Sequence, residues 1–504
     1  MTRQGDTTRA QSVNVEFDPA LSATPLGGGV LIEQALRSLG VLSRLKKHLP
    51  ARGVQARYAM EEFAYGAIAA LLLGGDGMDL FAPLSQNALT PAIFGLRELP
   101  SPATTYRLLC ELAGIAQRKF ADAYAPAGER LAALDMWGGE RATAQHQRLV
   151  PDIPEAAAPE KLAALRRAEA ALARRCARAL PQQTLRLHGW NVLFGDGTDL
   201  EVEGNCFDAA TVGREGKKIM RWLTLWLGPA LAAQDLLAGS ADEGRSIPAL
   251  LARAATLLRE CCGRGRMLAL LDSAYCERPV VEALLARPLC CDFIIGANQY
   301  RGALERLAAQ QPDMVWRDSG ADARRGWEAS QTCVFTHRFA GWKAPVTIAA
   351  RRWRQTGELP GTWLHTSFLA TNIEPAMIPA ALKKHGYAAA LWMLYSTKQG
   401  RENNYKTPLR CLALHHPPSG RLGVNQAYYT LAAMAANVAM VLRYRVLEEP
   451  ERAMTLTRMR AWYFQIAGYL VRTGRQLTVR LAGAHLDPGR QQLFLAAFAN
   501  ARRL

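Results

Sequence analysis

The sequence predicts a mixed α/β chain in which helical N-terminal and C-terminal regions flank a strand-and-helix core, with a β-rich stretch set inside that core. Three observations carry this expectation. Patterning changes from helical to alternating or continuously apolar near residue 190, and returns to helical after about residue 372. Two of the apolar runs are closed by an aspartate, Asp196 and Asp272. A charged helical segment, Tyr395-Ser-Thr-Lys398-Gln-Gly-Arg-Glu402-Asn-Asn-Tyr-Lys406, follows directly on the apolar run at 388–394.

Composition bounds the classes to consider. At 504 residues and 49% hydrophobic content the chain is long enough for two to four domains with a well-buried core. The formal charge of +17 suits a surface that neutralises a polyanion and releases its counterions, so nucleic acid is the leading partner class. Charge by itself also fits a ribosome-associated or anionic-membrane protein. The ten cysteines include the adjacent pairs Cys261-Cys262 and Cys290-Cys291 but no Cys-x-x-Cys unit, which argues against zinc and for buried, reduced thiols. The first residues carry no signal-peptide core, and apolar runs such as 67–73 and 431–442 fall short of the ~18 to 20 residues a membrane span needs. A cytoplasmic protein without membrane association is the expectation.

In order, residues 1–25 read as a loose polar N-terminus, and residues 26–150 as a small helical, DNA-binding region with helices at 31–39, 60–73 and 104–112. Ser101-Pro-Ala-Thr-Thr-Tyr-Arg107 reads as an N-capped helix start, a type of terminus that can grip a phosphate as readily as simply begin a helix. Residues 151–185 hold an Ala/Arg-rich connecting helix that could cross a DNA backbone, with Leu162, Leu165 and Leu172 on one side and Arg166, Arg167, Arg174, Arg175 and Arg178 around the rest. Strands follow at 191–195, 200–204 and 221–227, then a helix at 246–260, a strand at 267–271, a helix at 279–286 and a strand at 293–297. Three meandering strands followed by helix, strand, helix, strand is the order of a ribonuclease H-like core, with its first part at 186–300. Residues 301–378 form the β-rich insertion, with strands at 332–336, 345–350 and 367–371. The second part of the core, 379–447, carries the charged helix, and 448–504 closes the chain as a helical region, with helices at 425–447 and 456–472.

The chemistry concentrates on three carboxylates. Asp196 lies in Phe194-Gly-Asp-Gly-Thr-Asp199, where flanking glycines let the backbone open and present the side chain, and Asp272 closes a second apolar strand. Each alone reads more readily as a turn-forming residue than as a catalyst. On a helix, Tyr395, Lys398, Glu402 and Lys406 share one face, so a phenol, two ammoniums and a carboxylate can meet a metal-bound phosphate. A solvated stripe with a Glu402/Lys406 pair is the plainer alternative. Together, Asp196, Asp272 and Glu402 supply hard oxygen ligands for two Mg²⁺ or Mn²⁺ ions ~3.5 to 4 Å apart that bridge a scissile phosphate.

At these residues the chain resembles a family. The segments Asp196-Gly-Thr-Asp-Leu-Glu-Val-Glu-Gly204, Leu271-Asp-Ser-Ala-Tyr275 and Tyr395-x-x-Lys398-x-x-x-Glu402, followed by Asn425-Gln-Ala and Ala436-Asn437, look like the core of bacterial insertion-sequence DDE transposases with the Tyr-Arg-Glu-Lys signature. Separations of 76 residues between Asp196 and Asp272, and 130 between Asp272 and Glu402, leave room for the inserted stretch. The resemblance implies a metal-binding catalytic triad of Asp196, Asp272 and Glu402, with Asp196 preferred over its competitor Asp199. It implies a DNA transposase that binds terminal inverted repeats, cleaves the ends in Mg²⁺ and joins the 3′-hydroxyls to target DNA, acting as a homodimer on double-stranded DNA. A catalytically impaired or domesticated DNA-binding derivative is the rival, and a nuclease that cleaves without joining is a second. Tyr395 matches the signature tyrosine, implied to contact a phosphate, whereas Lys398 stands for its arginine and Leu409 for its lysine, leaving Lys406 or Arg410 to substitute. Some relatives stack a flipped base on an insertion tryptophan, and Trp316, Trp327, Trp342, Trp353 and Trp363 are available here. Independently of the resemblance, Arg214, Lys217, Lys218 and Arg221 form a basic connection suited to a DNA backbone.

Overall fold

The computed structural model describes residues 23–115 and 160–504, apart from 54–55, 88, 204–206, 214–215, 242, 264, 474–475 and 484–485, with backbone alone at 243, 401–407, 472–473 and 476–477. The loose N-terminus expected at 1–25 lies almost wholly outside the described residues.

Apart from the short turns Ala82–Ser85 and Leu89–Ile93, the helices that come first are α1 (Val30–Ser38), α2 (Val41–His48), α3 (Met60–Leu73) and α4 (Pro102–Leu112). The start of α4 follows its sequence signals, since Ser101 accepts from the Thr104 N–H and Pro102 occupies the first turn. Next, α5 (Glu160–Ala179) is not the free connector its arginines imply. Its apolar stripe, with Leu162, Leu165, Leu172 and Cys176 buried, packs it into the core. Its cations then find protein partners: Arg166 pairs with Asp235, Arg174 and Arg178 reach Glu260 at 3.7 and 2.7 Å, and Arg175 donates to the Leu504 carbonyl.

The central sheet has eleven strands among the described residues, eight of them long. These are β1 (Trp190–Glu201), β2 (Lys218–Leu227), β3 (Ala230–Ala238), β4 (Met267–Leu271), β5 (Asp292–Gly296), β6 (Trp327–His337), β7 (Val346–Gln355) and β8 (His365–Thr371). Their spatial order is β3-β2-β1-β4-β5-β8-β7-β6. β1 to β3 form an antiparallel meander, while β4 and β5 run parallel to β1 behind the crossovers α6 (Glu243–Cys262) and α7 (Arg278–Leu285).

Three expectations change here. The strands expected at 191–195 and 200–204 are one continuous strand, because Gly195 serves close packing instead of a break: the Leu271 Cδ2 atom lies 2.6 Å from where a Cβ would stand. The meander is completed by β3, whose Ala-Leu-Ala-Ala composition favours helix until pairing with β2, from Leu227↔Ala230 to Met220↔Ala238, overrides it. The β-rich stretch adds to the same sheet, with β8 antiparallel to β5 through Leu369↔Gly296.

Between β5 and β6 lies α8 (Arg301–Ala309), and after β8 come α9 (Tyr387–Cys411), the almost wholly buried α10 (Leu422–Val441) and α11 (Pro488–Arg502). The helix expected at 456–472 stops early. A strand, Gly468–Thr473, pairs with Gln476–Leu481 and with Ala23–Thr24, so local helical pattern yields to a hairpin that also ties down the N-terminal segment. Cys262 and Cys291 are buried, and burial pushes the Cys262 thiol up to about 12, but Cys290 is exposed on a turn with φ of 43°. Among the described residues no helix is long and apolar enough to cross a membrane.

Candidate functional site

The sheet brings Asp196 and Asp272 side by side. β1 and β4 are parallel with Phe194 opposite Leu270, and each aspartate stands two residues further on. Residues two apart share a pleat face, and adjacent strands lie ~4.8 Å apart, so the carboxylates start from neighbouring positions on one face. Their backbones differ. β4 ends at Leu271, and Asp272 opens a turn in which its Oδ1 accepts the Ser273 N–H at 2.7 Å. Asp196, expected to close its strand, lies inside β1 opposite Thr224, although beyond the last pair with β4.

Pleating also separates the acids that crowd the first motif. Asp199 is an odd number of residues from Asp196 and therefore on the other face. There its Oδ1 meets the Arg221 Nε at 2.8 Å. Glu201 shares that face and meets the Lys217 Nζ at 2.6 Å. The basic cluster expected to grip DNA is thus engaged with acids on the face opposite Asp196. Lys218 opens β2, and Arg214 lies outside the described residues.

Over the carboxylates lies α9, anchored by buried Ala390, Leu391 and Leu394. The Lys398 side chain is 8% exposed, and its Nζ is 3.7 Å from Asp196 Oδ1, within ion-pair range but longer than a charge-assisted hydrogen bond. One turn earlier, the Tyr395 hydroxyl lies 3.1 Å from the point where a Gly296 Cβ would stand, and the Ser273 nitrogen 3.0 Å from the same point. Helix α9 therefore crosses the ends of β1, β4 and β5, and a side chain at position 296 would press on both Tyr395 and the Asp272 turn. Glu402 is one turn beyond Lys398 on α9, and Lys406 one turn further; their side chains lie outside the described residues. Leu409 is buried, and Arg410, one of the two cations expected to substitute for a signature lysine, is exposed.

Among the described residues no three His, Cys, Asp or Glu side chains are grouped to hold a metal. The donor chemistry of Asp196 and Asp272 nevertheless fits a hard divalent ion: two carboxylates on one face at adjacent strand ends, with a helix able to bring a third.

Sequence reasoning missed the arginines that engage the tryptophans of the β-rich stretch and of α9. Arg351 stands 4.0 Å from the Trp392 ring centre and 5.4 Å from that of Trp327, and burial pushes its guanidinium down to about 10. Arg325 covers the Trp327 ring at 5.0 Å and donates to Gln399 Oε1 at 3.0 Å. Trp327 stacks on Trp353, and Trp353 on His365. Trp316 and Trp342 are buried, while Arg352 lies between Trp316 and Trp363 at 4.2 and 4.9 Å. This ladder fastens β6 and β7 to α9. The alternation Arg351-Arg-Trp-Arg354 was its only signal in the sequence. The motif asparagines are fasteners too: Asn437 accepts from the Leu231 N–H and donates to the Leu231 carbonyl, both at 2.9 Å, holding α10 to β3. The phosphate-gripping helix start proposed at α4 borders a cavity of about 750 Å³ lined by Arg52, Arg57, Thr104, Arg107, Glu111 and Lys161.

Comparison with known proteins adds the lineage. The family model described as Transposase DDE domain group 1 matches residues 222–504, a span that contains Asp272 and all of α9 and begins after Asp196. No curated protein matches the sequence. Among solved structures, the cryo-EM structure of a piggyBac transposase synaptic complex with hairpin DNA is similar at 10% sequence identity and a TM-score of 0.40, covering 88% of this chain and 80% of that chain. With more than half of its 504 residues matched, the chain belongs to the Transposase DDE domain group 1 family.

Proposed function

We propose that this member of the family is a DNA transposase that binds terminal inverted repeats, cleaves the transposon ends and joins the freed 3′-hydroxyls to target DNA. The observation that carries the proposal is the matched register of β1 and β4, which sets Asp196 beside Asp272 under α9. The order β3-β2-β1-β4-β5, an antiparallel meander followed by two parallel strands, supports a ribonuclease H-like core, with residues 301–378 inserted before α9.

Asp196, Asp272 and Glu402 would hold two Mg²⁺ or Mn²⁺ ions. When bound, such ions activate the attacking oxygen and stabilise the leaving oxygen of a phosphodiester. The protein's own part is placement: the Ser273 N–H fixes the Asp272 carboxylate, Gly195 and Gly296 allow the close packing around it, and α9 carries Tyr395 and Lys398 to where a phosphate would lie. Lys406, Lys217, Lys218, Arg221 and Arg214 add backbone contacts to double-stranded DNA on this reading. Residues 26–150 act as the DNA-binding region, a homodimer brings two ends together, and the protein works in the cytoplasm.

The test is cleavage of a duplex carrying the inverted repeats that flank the coding region. Wild-type protein should nick it in Mg²⁺, and Asp272→Asn and Glu402→Gln should each lose more than the roughly 10- to 100-fold that an outer-shell substitution costs. Full cleavage by either variant would remove the triad. One observation favours a second reading, a DNA-binding derivative without catalysis: a buried leucine occupies the signature-lysine position. That protein would bind the same duplex and yield no product in Mg²⁺ or Mn²⁺.

A further inference from the structure

We propose that Lys398 is a built-in counter-cation of Asp196, which holds that carboxylate in the DNA-free protein and keeps its affinity for divalent ions low. The inference rests on Asp196 and Asp272 being metal ligands, and concerns what occupies one of them beforehand. Three observations converge. Lys398 is the most enclosed residue of the charged helix segment that is described with its side chain, at 8% exposure, and its ammonium is directed at Asp196 Oδ1. The separation of 3.7 Å is that of an ion pair without a tight hydrogen bond, so the contact attracts without locking. Asp272, the neighbouring carboxylate, is instead exposed, with its Oδ1 held by a backbone N–H.

A lysine buried this far needs a negative partner, because an enclosed ammonium without one is costly. A divalent ion arriving at Asp196 competes for the same oxygens and meets an ammonium about 4 Å away in an environment that screens poorly. Lys398 therefore acts as a positioning residue. It orients Asp196 before the ion arrives and raises the ion concentration needed to displace it. That the cation is a lysine bears on this directly: a compact ammonium on a flexible stem can withdraw from one oxygen, whereas a guanidinium fork grips a carboxylate with two donors.

The experiment measures Mn²⁺ binding to the full-length, DNA-free protein by electron paramagnetic resonance, titrating MnCl₂ alone. Lys398→Met keeps the volume of the buried stem and removes the charge. It should bind Mn²⁺ about tenfold more tightly, the low end of what one adjacent unit charge does to a carboxylate. Lys398→Arg should bind Mn²⁺ no more tightly than wild type, and the double variant Lys398→Met/Asp196→Asn should lose the gain. If Lys398→Met misfolds by near-UV circular dichroism, Lys398→Gln serves the same purpose. Unchanged or weaker Mn²⁺ binding by the uncharged variant overturns the proposal. An Asp272→Asn control separates the two ideas. If it leaves wild-type Mn²⁺ affinity untouched, the metal-site reading itself falls; if it weakens binding while Lys398→Met changes nothing, only the role of Lys398 falls.

Discussion

Asp196 and Asp272 stand at neighbouring positions on β1 and β4, one partly open to solvent and the other exposed, whereas Glu169 on α5 and Asp235 on β3 are closed in by arginines. Glu169 takes a hydrogen bond from Gln234 at 3.2 Å and lies 3.5 Å from Arg253; Asp235 meets Arg253 at 3.2 Å and also pairs with Arg166. Both places are carboxylate pairs at the same sheet, although Glu169 reaches it from α5. The difference lies in where the compensating charge comes from. At the α5–β3–α6 junction the chain supplies guanidiniums of its own with several hydrogen bonds, which makes a fastening. At the β1–β4 ends one carboxylate is half-buried and the other exposed, and the Lys398 ammonium stands 3.7 Å from Asp196, a looser arrangement that suits the proposed metal site.

Exchanging the losses sharpens this contrast most. Arg253→Met leaves Glu169 and Asp235 short of a partner inside the protein, and should cost roughly 2 kcal/mol or more of stability, somewhat below the range for a fully buried pair because Arg253 is itself partly exposed. Asp272→Asn should leave the melting temperature nearly unchanged, since the amide oxygen can still accept from Ser273, while abolishing cleavage. Calorimetry on both variants beside the cleavage assay decides it. A large loss of stability in Asp272→Asn would make that residue a fastening like the other pair.

A smaller effect follows from pH. Burial pushes the Glu169 carboxyl up to about 7 from an ordinary value of 4.5, with Arg253 and Gln234 opposing the shift. A carboxyl raised in the folded state contributes stability that is fully present below about 4.5 and is lost as pH rises through about 7. Glu169→Gln keeps an acceptor for Gln234 and cannot ionise. The melting temperature of the variant relative to wild type should therefore climb between pH 5 and pH 8. A difference that stays flat over that window would mean that Glu169 is already ionised in the folded protein at pH 5.

These two pairs also show what the sequence makes legible. Asp196 and Asp272 could be picked out because apolar strand runs lead into both and the motif order is distinctive. Helices α3, α4 and α6 were readable from periodicity and caps, and β2, β4 and β5 from short apolar runs. The fastening was not readable, because Glu169, Asp235 and Arg253 lie far apart in sequence and meet only once β3 pairs with β2. Strand β3 carries no strand pattern in its Ala-Leu-Ala-Ala stretch and was not expected, and the inward turn of Arg166 depends on it. Likewise the Arg–Trp ladder needs β6 and β7 in register and α9 laid across them, which no local pattern encodes.

The smallest expected effect concerns the basic connection before β2, which the sequence offers as a DNA grip and the structure pairs with β1 acids. Lys217 and Glu201 are both about half exposed, so their 2.6 Å contact is a surface pair. Such pairs are typically worth 0 to ~1 kcal/mol and weaken further with salt, so Glu201 holds Lys217 only weakly. A DNA phosphate can therefore take over from Glu201 at little cost to stability. Lys217→Ala should shift the melting temperature by no more than a degree or two, in line with that small energy. Its measurable consequence should lie in DNA binding: a slope of log affinity against log salt shallower by about one, since one fewer phosphate is neutralised. Glu201→Gln should act in the opposite direction, removing one carboxylate that competes with DNA for the lysine and tightening binding at low salt. If both variants bind duplex DNA with the wild-type slope, that connection faces away from the DNA, and the face of the sheet that carries Asp199 and Glu201 is simply a solvated one.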